Sequence, residues 1–326
     1  MNPVAPFYEL SPETVLDALE AVGFRCDGRV LALNSYENRV YQIGIEDSSP
    51  VVAKFYRPNR WSDAAIREEH AFSLELAAQE IPVVAPLDVS GSTLHVHHGF
   101  RYAVFPRRGG RWPELGKAEE REWVGRFLGR IHAVGRVRPF FDRMRLSIDT
   151  LGRESRRFVL ESGFLPGYLE EKYADVTHDL IEEIEARAGD WGGARLTRIL
   201  GDCHRGNILW TDAGPHFVDL DDCLTGPAVQ DLWMLLAGDA REMRGQLADI
   251  LSGYEQFAPF DRAEIALIEP LRALRMIHYA GWLARRWDDP AFPSAFPWFA
   301  GPRYWEEHHR ALEEQLGAVR APPLEL

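Results

Sequence analysis

The stretch Ile199-Leu200-Gly201-Asp202-Cys203-His204-Arg205-Gly206-Asn207-Ile208-Leu209-Trp210 constrains this chain more than any other, because it sets an Asp five residues ahead of an Asn that opens an apolar triplet. Twelve residues beyond the Asn, Asp219 stands within Phe217-Val218-Asp219-Leu220-Asp221-Asp222. Two short apolar runs therefore flank a turn, and each presents hard oxygen acceptors at its edge. Such an arrangement can hold a divalent cation and a base near one transferring group.

The chain around this stretch has 326 residues, enough for two domains or one large two-lobed unit. Its 50 acidic and 37 basic residues give a net charge of -13, which argues against a general nucleic-acid binder but leaves room for a local basic cleft. The three cysteines, Cys26, Cys203 and Cys223, are too few and too uneven for a disulfide framework and fit a reducing compartment. No apolar run approaches the length of a membrane span. Met1-Asn2-Pro3-Val4-Ala5-Pro6 lacks the charged and apolar regions of a secretion leader. The expectation is a cytoplasmic monomer without nucleic-acid or membrane partners.

Taken in order, Ser11-Pro12 opens a first helix, with Val15, Leu16, Leu19 and Val22 at helical spacing. Val30–Leu33 and Arg39–Ile45 read as strands around the polar turn Asn34-Ser35-Tyr36-Glu37-Asn38, and Val51–Tyr56 as a third. That third strand carries Lys54 among apolar neighbours, and a buried ammonium needs a partner. The following helix, Ser62 to about Ala78, offers two. Glu69 shares the face of Phe72 and Leu76 and is the better choice, with Glu68 as fallback. Further strands are expected at Leu87–Val89, Thr93–His97 and Phe100–Phe105. Helical periodicity takes over after about residue 106, so the lobes are expected to span 1–105 and 106–326.

In the second lobe Lys117–Val134 reads as a buried central helix, with His132 as a core-edge histidine satisfied by a carbonyl. Polar helices are expected around Ile148–Val159 and Tyr168–Ala188. Gly226–Leu236 enters another buried helix, where Asp231 at the first turn can bind free backbone N–H groups and organise the segment before Asp202. Two helices, Ala263–Ile277 and His278–Trp287, then carry Arg272, Arg275, Arg285 and Arg286 as a solvated or ion-paired face. A last helix is expected over Tyr304–Ala318.

These pieces suit phosphoryl transfer, which needs phosphates held, charge neutralised and an acceptor hydroxyl aimed. Lys54 can pair with phosphates while Glu69 orients it. The turn 34–38 can cover them with backbone N–H groups and the Ser35 hydroxyl. Asn207 and Asp219 offer oxygen ligands for Mg2+, and Asp202 can accept the proton of an acceptor hydroxyl. The set resembles the protein-kinase-like fold in its aminoglycoside phosphotransferase/choline kinase branch. Within that branch it looks like the bacterial stress response kinase A family. The motifs that carry this are Asn34–Tyr41, Lys54-Phe55-Tyr56-Arg57-Pro58, Gly201–His204, Gly206–Trp210, Phe217–Asp222 and Gly226–Met234.

The resemblance implies an α+β bilobal protein-kinase-like fold, with an antiparallel sheet and helix in the first lobe and a larger helical second lobe. It further implies an ATP- and Mg2+-dependent Ser/Thr protein kinase of a stress response. Asp202 and Asp219 would then be catalytic, Asn207 and Asp219 metal-binding, and Ser35, with Lys54 and Glu69, would serve the nucleotide. The chain departs from the general kinase pattern in three ways. It has no Gly-rich loop, it has Leu200 where a loop-scaffolding His is usual, and Asp219-Leu220-Asp221 replaces Asp-Phe-Gly, with no regulated activation loop.

A small-molecule kinase would share the same phosphate chemistry, and the acidic charge would suit a cationic acceptor. A nucleotide-binding scaffold would be expected to lack Lys54, Asp202, Asn207 or Asp219, and all four are present. Cys203, His204 and Cys223 are unevenly spaced for zinc and read as loop packing.

Overall fold

The computed structural model describes residues 7–326, so the stretch Met1–Pro6 on which the leader was judged lies outside the described residues. In chain order the strands are β1 (Cys26–Ala32), β2 (Arg39–Ile45), β3 (Val51–Phe55), β4 (His95–His97), β5 (Phe100–Pro106), β6 (Thr197–Ile199), β7 (Ile208–Thr211), β8 (Gly214–Phe217) and β9 (Leu224–Gly226). The helices are α1 (Pro12–Glu20), α2 (Asp63–Ala78), α3 (Ala118–Gly135), α4 (Glu154–Glu161), α5 (Gly167–Ala188), α6 (Gln230–Trp233), α7 (Ala240–Tyr254), α8 (Ile268–Arg286), α9 (Ala291–Ala295) and α10 (Pro302–Arg320). They form two compact units. One takes the chain up to Leu115 with Phe140–Arg143 and His204–Cys223, and the other takes Gly116–Pro139, Met144–Cys203 and Leu224–Leu326.

The first unit is built on an antiparallel sheet of order β1-β2-β3-β5-β4. The Ser11 hydroxyl caps α1 by accepting the Thr14 N–H at 3.2 Å. Helix α1 lays Val15, Ala18 and Leu19 on one face of the sheet, against Val51, Ala53 and Phe55 of β3. Because side chains alternate along a strand, Lys54 turns to the opposite face. There Tyr56 and Ala103 pack with Ile66 of α2, which Ser62 caps through the Ala65 N–H at 3.1 Å. β3 is thus covered on both sides, and its lysine is buried.

Leu87–Val89, expected as a strand, is not one. Leu87 donates a single bond to Val104, and Val89 closes a turn with Ser92, so no ladder forms. The β7–β8 hairpin belongs to this unit through bonds from Phe217 N–H to the Pro82 carbonyl at 2.7 Å and from Val84 N–H to the Phe217 carbonyl at 3.0 Å.

The second unit is helical apart from the two-stranded pair β6–β9. Helix α3 packs closely along α7, and at Gly125 a Cβ would collide with the Ile250 carbonyl oxygen. Helix α7 is absent from the sequence expectation, although Asp239 and Glu242 form a full capping box at its start. The expected break at His278 does not occur: a 3-10 segment, Arg262–Leu267, leads into the single helix α8. The segment expected as one helix over Ile148–Val159 is a π-helical turn, Asp149–Arg153, running into α4. Among the described residues no helix is long and apolar enough to cross a membrane.

Candidate active site

In the first unit two of the expected site residues, Glu69 and Asp219, meet at Lys54, together with Asp221. Its ammonium lies 2.9 Å from Asp219 Oδ1, 3.2 Å from Asp221 Oδ1 and 3.7 Å from Glu69 Oε1. Burial opposes a charged lysine here, but the three carboxylates outweigh it and raise the ammonium well above the usual lysine value. Burial pushes the Glu69 carboxyl up to about 7, with Lys54 offsetting only part of that. Burial also works against Asp221, yet Lys54, Arg60 and Arg143 together hold its carboxyl well below the usual range. Of the two glutamates on α2, Glu69 therefore faces Lys54. Glu68 accepts the backbone N–H groups of Phe141, Asp142 and Arg143 at 2.7, 2.8 and 2.8 Å.

Asp221 ties distant segments together. Its Oδ2 accepts from Asn38 Nδ2 at 3.0 Å and from Arg60, whose other terminal nitrogen reaches Asp222. The Asp221 backbone carbonyl accepts from Arg143, which also donates to the Cys223 carbonyl at 2.9 Å and sits 3.9 Å over the Trp61 ring. These partners lie 183, 161 and 78 residues away in sequence, so Arg60 and Arg143 had no local signature in the chain.

Asp219 differs from Asp221. Its backbone is left-handed, with φ 56° and ψ 68°, and its side chain is 53% exposed. An L-residue held there costs on the order of 1 kcal/mol, and Asp is among the few that tolerate it. The strain persists because Leu220 and Asp221 on one side and the β7–β8 hairpin on the other are fixed. Asn207 ends a 3-10 turn, and its carbonyl accepts the Val218 N–H at 3.0 Å, placing it across the hairpin from the residue before Asp219. Ser35 donates to the Asn38 carbonyl at 3.1 Å, closing the turn 34–38, while Arg57 clamps the same turn through the Glu37 and Tyr36 carbonyls at 2.9 and 3.2 Å.

In the second unit Asp202 follows Gly201, which adopts the left-handed φ of 81° that a glycine allows without cost. The preceding backbone is held by Asp231, whose carboxylate accepts the Leu200 N–H at 2.7 Å and the Gly201 N–H at 2.8 Å. Gln230 adds a bond to the Gly201 carbonyl at 2.8 Å. His132 packs its Nε2 2.9 Å from Asp231 and its Nδ1 3.0 Å from the Tyr254 hydroxyl, so a carboxylate and a phenol, not the expected carbonyl, satisfy it. Leu200 buries its side chain and donates its backbone N–H to Asp231. The scaffold that a histidine at that position would supply comes from Asp231 and His132. The Asp202 carboxylate accepts from Arg275 of α8 at 2.6 Å, a partner the sequence pattern did not single out from its neighbours. Cys203 and Cys223 are buried free thiols, and burial pushes both well above the usual value, which disfavours the thiolate a metal would need.

Comparison with known proteins identifies the family and the fold. The model of the phosphotransferase enzyme family matches residues 29–268. "Stress response kinase A" of Salmonella choleraesuis (strain SC-B67) is 49% identical over 321 residues, covering 98% of this chain and 97% of that protein. "Serine/threonine protein kinase RdoA" of Salmonella typhimurium (strain LT2) is 48% identical over 321 residues, with the same coverage of 98% and 97%. Among solved structures, amicoumacin kinase hAmiN in complex with AMP-PNP, Ca2+ and Ami superposes with a TM-score of 0.69 at 19% identity, over 92% of this chain and 93% of that one. That likeness places the fold with the aminoglycoside phosphotransferase and choline kinase type of protein-kinase-like proteins. The chain belongs to the phosphotransferase enzyme family and, within it, to the stress response kinase A group.

Proposed function

We propose that this family member transfers the terminal phosphoryl group of ATP, with Mg2+, to Ser or Thr hydroxyls of protein substrates in a bacterial stress response. The observation that carries the proposal is the buried lysine ringed by Asp219, Asp221 and Glu69. Burying one ammonium with three carboxylates is costly for stability alone. It suits a cation kept charged and aimed at phosphate oxygens. The protein-acceptor assignment is supported by the name of the relative from Salmonella typhimurium.

In this mechanism Lys54 neutralises phosphate oxygens, and the turn 34–38 with Ser35 lies over them. Asp219, half exposed and free to turn toward solvent, and Asn207, opposite Val218 on the same hairpin, would hold Mg2+. One carboxylate and one carboxamide leave coordination positions for phosphates and water, which fits the oxygen preference of that ion. When bound, the ion supplies charge neutralisation of the transferring phosphoryl. Asp202 accepts the proton of the attacking hydroxyl, with its segment held by Asp231 and its carboxylate oriented by Arg275. In-line transfer then requires positioning more than covalent help.

A second reading, phosphorylation of a cationic small molecule, is favoured by the net charge of -13 and by the fold shared with amicoumacin kinase. The two are separated by incubating the enzyme and radiolabelled ATP with a cell extract and, in parallel, with a panel of amino alcohols and aminoglycosides. The protein-kinase proposal expects acid-stable label on Ser or Thr of extract proteins. Label confined to a small metabolite would sink it.

A further inference from the structure

Resting on the protein-kinase reading above, we infer that the partly exposed stripe of α8 that runs on from Arg275 through Tyr279 and Trp282 is the docking surface for the acceptor peptide. It selects a large apolar side chain two or three residues from the Ser or Thr hydroxyl. Asp202, α8 and the segment after it all belong to the second unit.

Most of α8 faces the core, where Leu271, Leu274, Ile277 and Leu283 are buried. One face does not. Tyr279, Trp282 and Arg286 follow Arg275 by four, seven and eleven positions, so at 3.6 residues per turn all three fall within about 40° of it. Arg275 starts this stripe, because its guanidinium holds the Asp202 carboxylate at 2.6 Å. Tyr279 is 37% exposed and stacks on Trp282, with ring centroids 5.7 Å apart and planes at 25°. Trp282 meets Phe296 at 5.9 Å, and Phe296 meets Trp298, which is 45% exposed, at 5.8 Å. An aromatic wall open at both edges therefore begins one helical turn from the proposed base. Scattered surface rings are ordinary, whereas a continuous run of them marks an interaction site.

The spacing fits an extended peptide. Along α8, Tyr279 lies about 6 Å and Trp282 about 10 Å beyond Arg275, and an extended chain advances about 3.3 Å per residue. A side chain two or three residues from a hydroxyl held at Asp202 thus reaches the two rings. Charge decides between occupants. After Glu269 the helix carries four arginines and no acid. A cationic small molecule on the wall would face the guanidiniums of Arg275 and Arg286, which stand on either side of Tyr279 and Trp282 along the stripe. An apolar or aromatic side chain gains contact with the rings without that repulsion. Basic residues are disfavoured along the track for the same reason.

The test is phosphorylation of a degenerate peptide library, with one Ser or Thr at the centre of each peptide, by the full chain and radiolabelled ATP. It is run for wild type, Tyr279→Ala, Tyr279→Phe, Trp282→Ala and Phe257→Ala, with a melting curve for each. Phe257, 49% exposed and beside Arg130, is the control ring off this stripe. Wild type is expected to favour Phe, Trp, Leu or Met two or three positions from the acceptor and to disfavour Lys and Arg there. Tyr279→Ala and Trp282→Ala should flatten that preference. They should also lower kcat/KM for the best peptide at least about tenfold, the scale of losing an aromatic anchor, through KM for peptide and not KM for ATP. Tyr279→Phe, which keeps the ring, and Phe257→Ala should match wild type.

Peptide labelling without an apolar preference, or a preference that survives Tyr279→Ala, overturns the docking surface and leaves the protein-kinase reading intact. Label on extract proteins but on no peptide does the same. Label on neither overturns both. Should Trp282→Ala fail to fold, Tyr279→Ala decides alone, since the Tyr279 ring is open to solvent.

Discussion

Arg275 of α8 donates to the Asp202 carboxylate at 2.6 Å, so the acid proposed to receive the acceptor proton is already held by a guanidinium. Both side chains are partly exposed, and the pair therefore contributes more to geometry than to stability. Asp202→Asn is expected to lower the rate of phosphoryl transfer by at least about 10²-fold, the usual scale for removing a positioned base. Arg275→Met should lower kcat by about tenfold with little change in KM for ATP, and Arg275→Lys should restore part of it. Steady-state kinetics on the three variants, with melting temperatures near wild type, checks this. Unchanged turnover in Asp202→Asn would refute its role.

Asp231 is fully buried and accepts from Leu200, Gly201 and His132. Asp231→Ala leaves two backbone N–H groups and a histidine without their acceptor. The expected cost is about 3–5 kcal/mol of folding stability, the range for breaking a buried charged network. His132→Gln keeps a donor toward Asp231 and should cost less. Urea unfolding of both variants measures the order, and equal losses would mean that the backbone bonds to Asp231 contribute nothing.

Local signals carried much of the architecture. The caps at Ser11 and Ser62, the alternation around Lys54 and the inward face of Glu69 were all readable from a few adjacent residues, as was Asp231 at a helix start. What escaped depended on partners far along the chain. Asp221 looks like one of three nearby acids in sequence and becomes a hub only when residues 38, 60 and 143 converge on it. Arg275 shows no difference from Arg272, Arg285 and Arg286 until α8 is packed. Leu87–Val89 has strand composition but meets only one backbone bond from the sheet, so tertiary context overrides its propensity. Helix α7 carries its own local signal, the capping box of Asp239 and Glu242.

His70 should make the fold acid-sensitive. It is 1% exposed, between the Tyr56 hydroxyl at 2.7 Å and Thr93 at 2.8 Å. Burial, with Lys54 nearby, lowers its pKa from 6.5 to about 3. The folded histidine stays neutral where the unfolded one takes up a proton. Its contribution is therefore complete above about pH 6.5 and is lost as pH falls toward 3, at up to about 1.4 kcal/mol per pH unit. Glu69 has the opposite sign, because its raised value favours the folded state at low pH and is lost as pH rises through about 7. It is present in both proteins and cancels in a comparison of wild type with His70→Gln. Denaturant melts at pH 6, 5 and 4 should show the stability of wild type falling relative to His70→Gln. Parallel curves would mean that His70 titrates normally.

Glu68 tests whether the segment 140–143 supports the lysine cluster. Its carboxylate accepts three consecutive N–H groups there, and the last of these residues, Arg143, reaches the Asp221 and Cys223 carbonyls. Glu68→Ala removes all three bonds at once. Two of those N–H groups are exposed and find water, so the expected loss is about 1–2 kcal/mol, not the full cost of three buried donors. The loosened segment carries Phe141, with Val137 just before it, both well exposed, and should become the first site of limited proteolysis. Because Arg143 fixes Asp221 through this segment, the variant should also bind AMP-PNP more weakly than wild type, while Glu68→Gln, which keeps an acceptor oxygen, should lie between. A Glu68→Ala protein as resistant to protease as wild type, with full nucleotide affinity, would show that Arg143 holds its place without the α2 carboxylate.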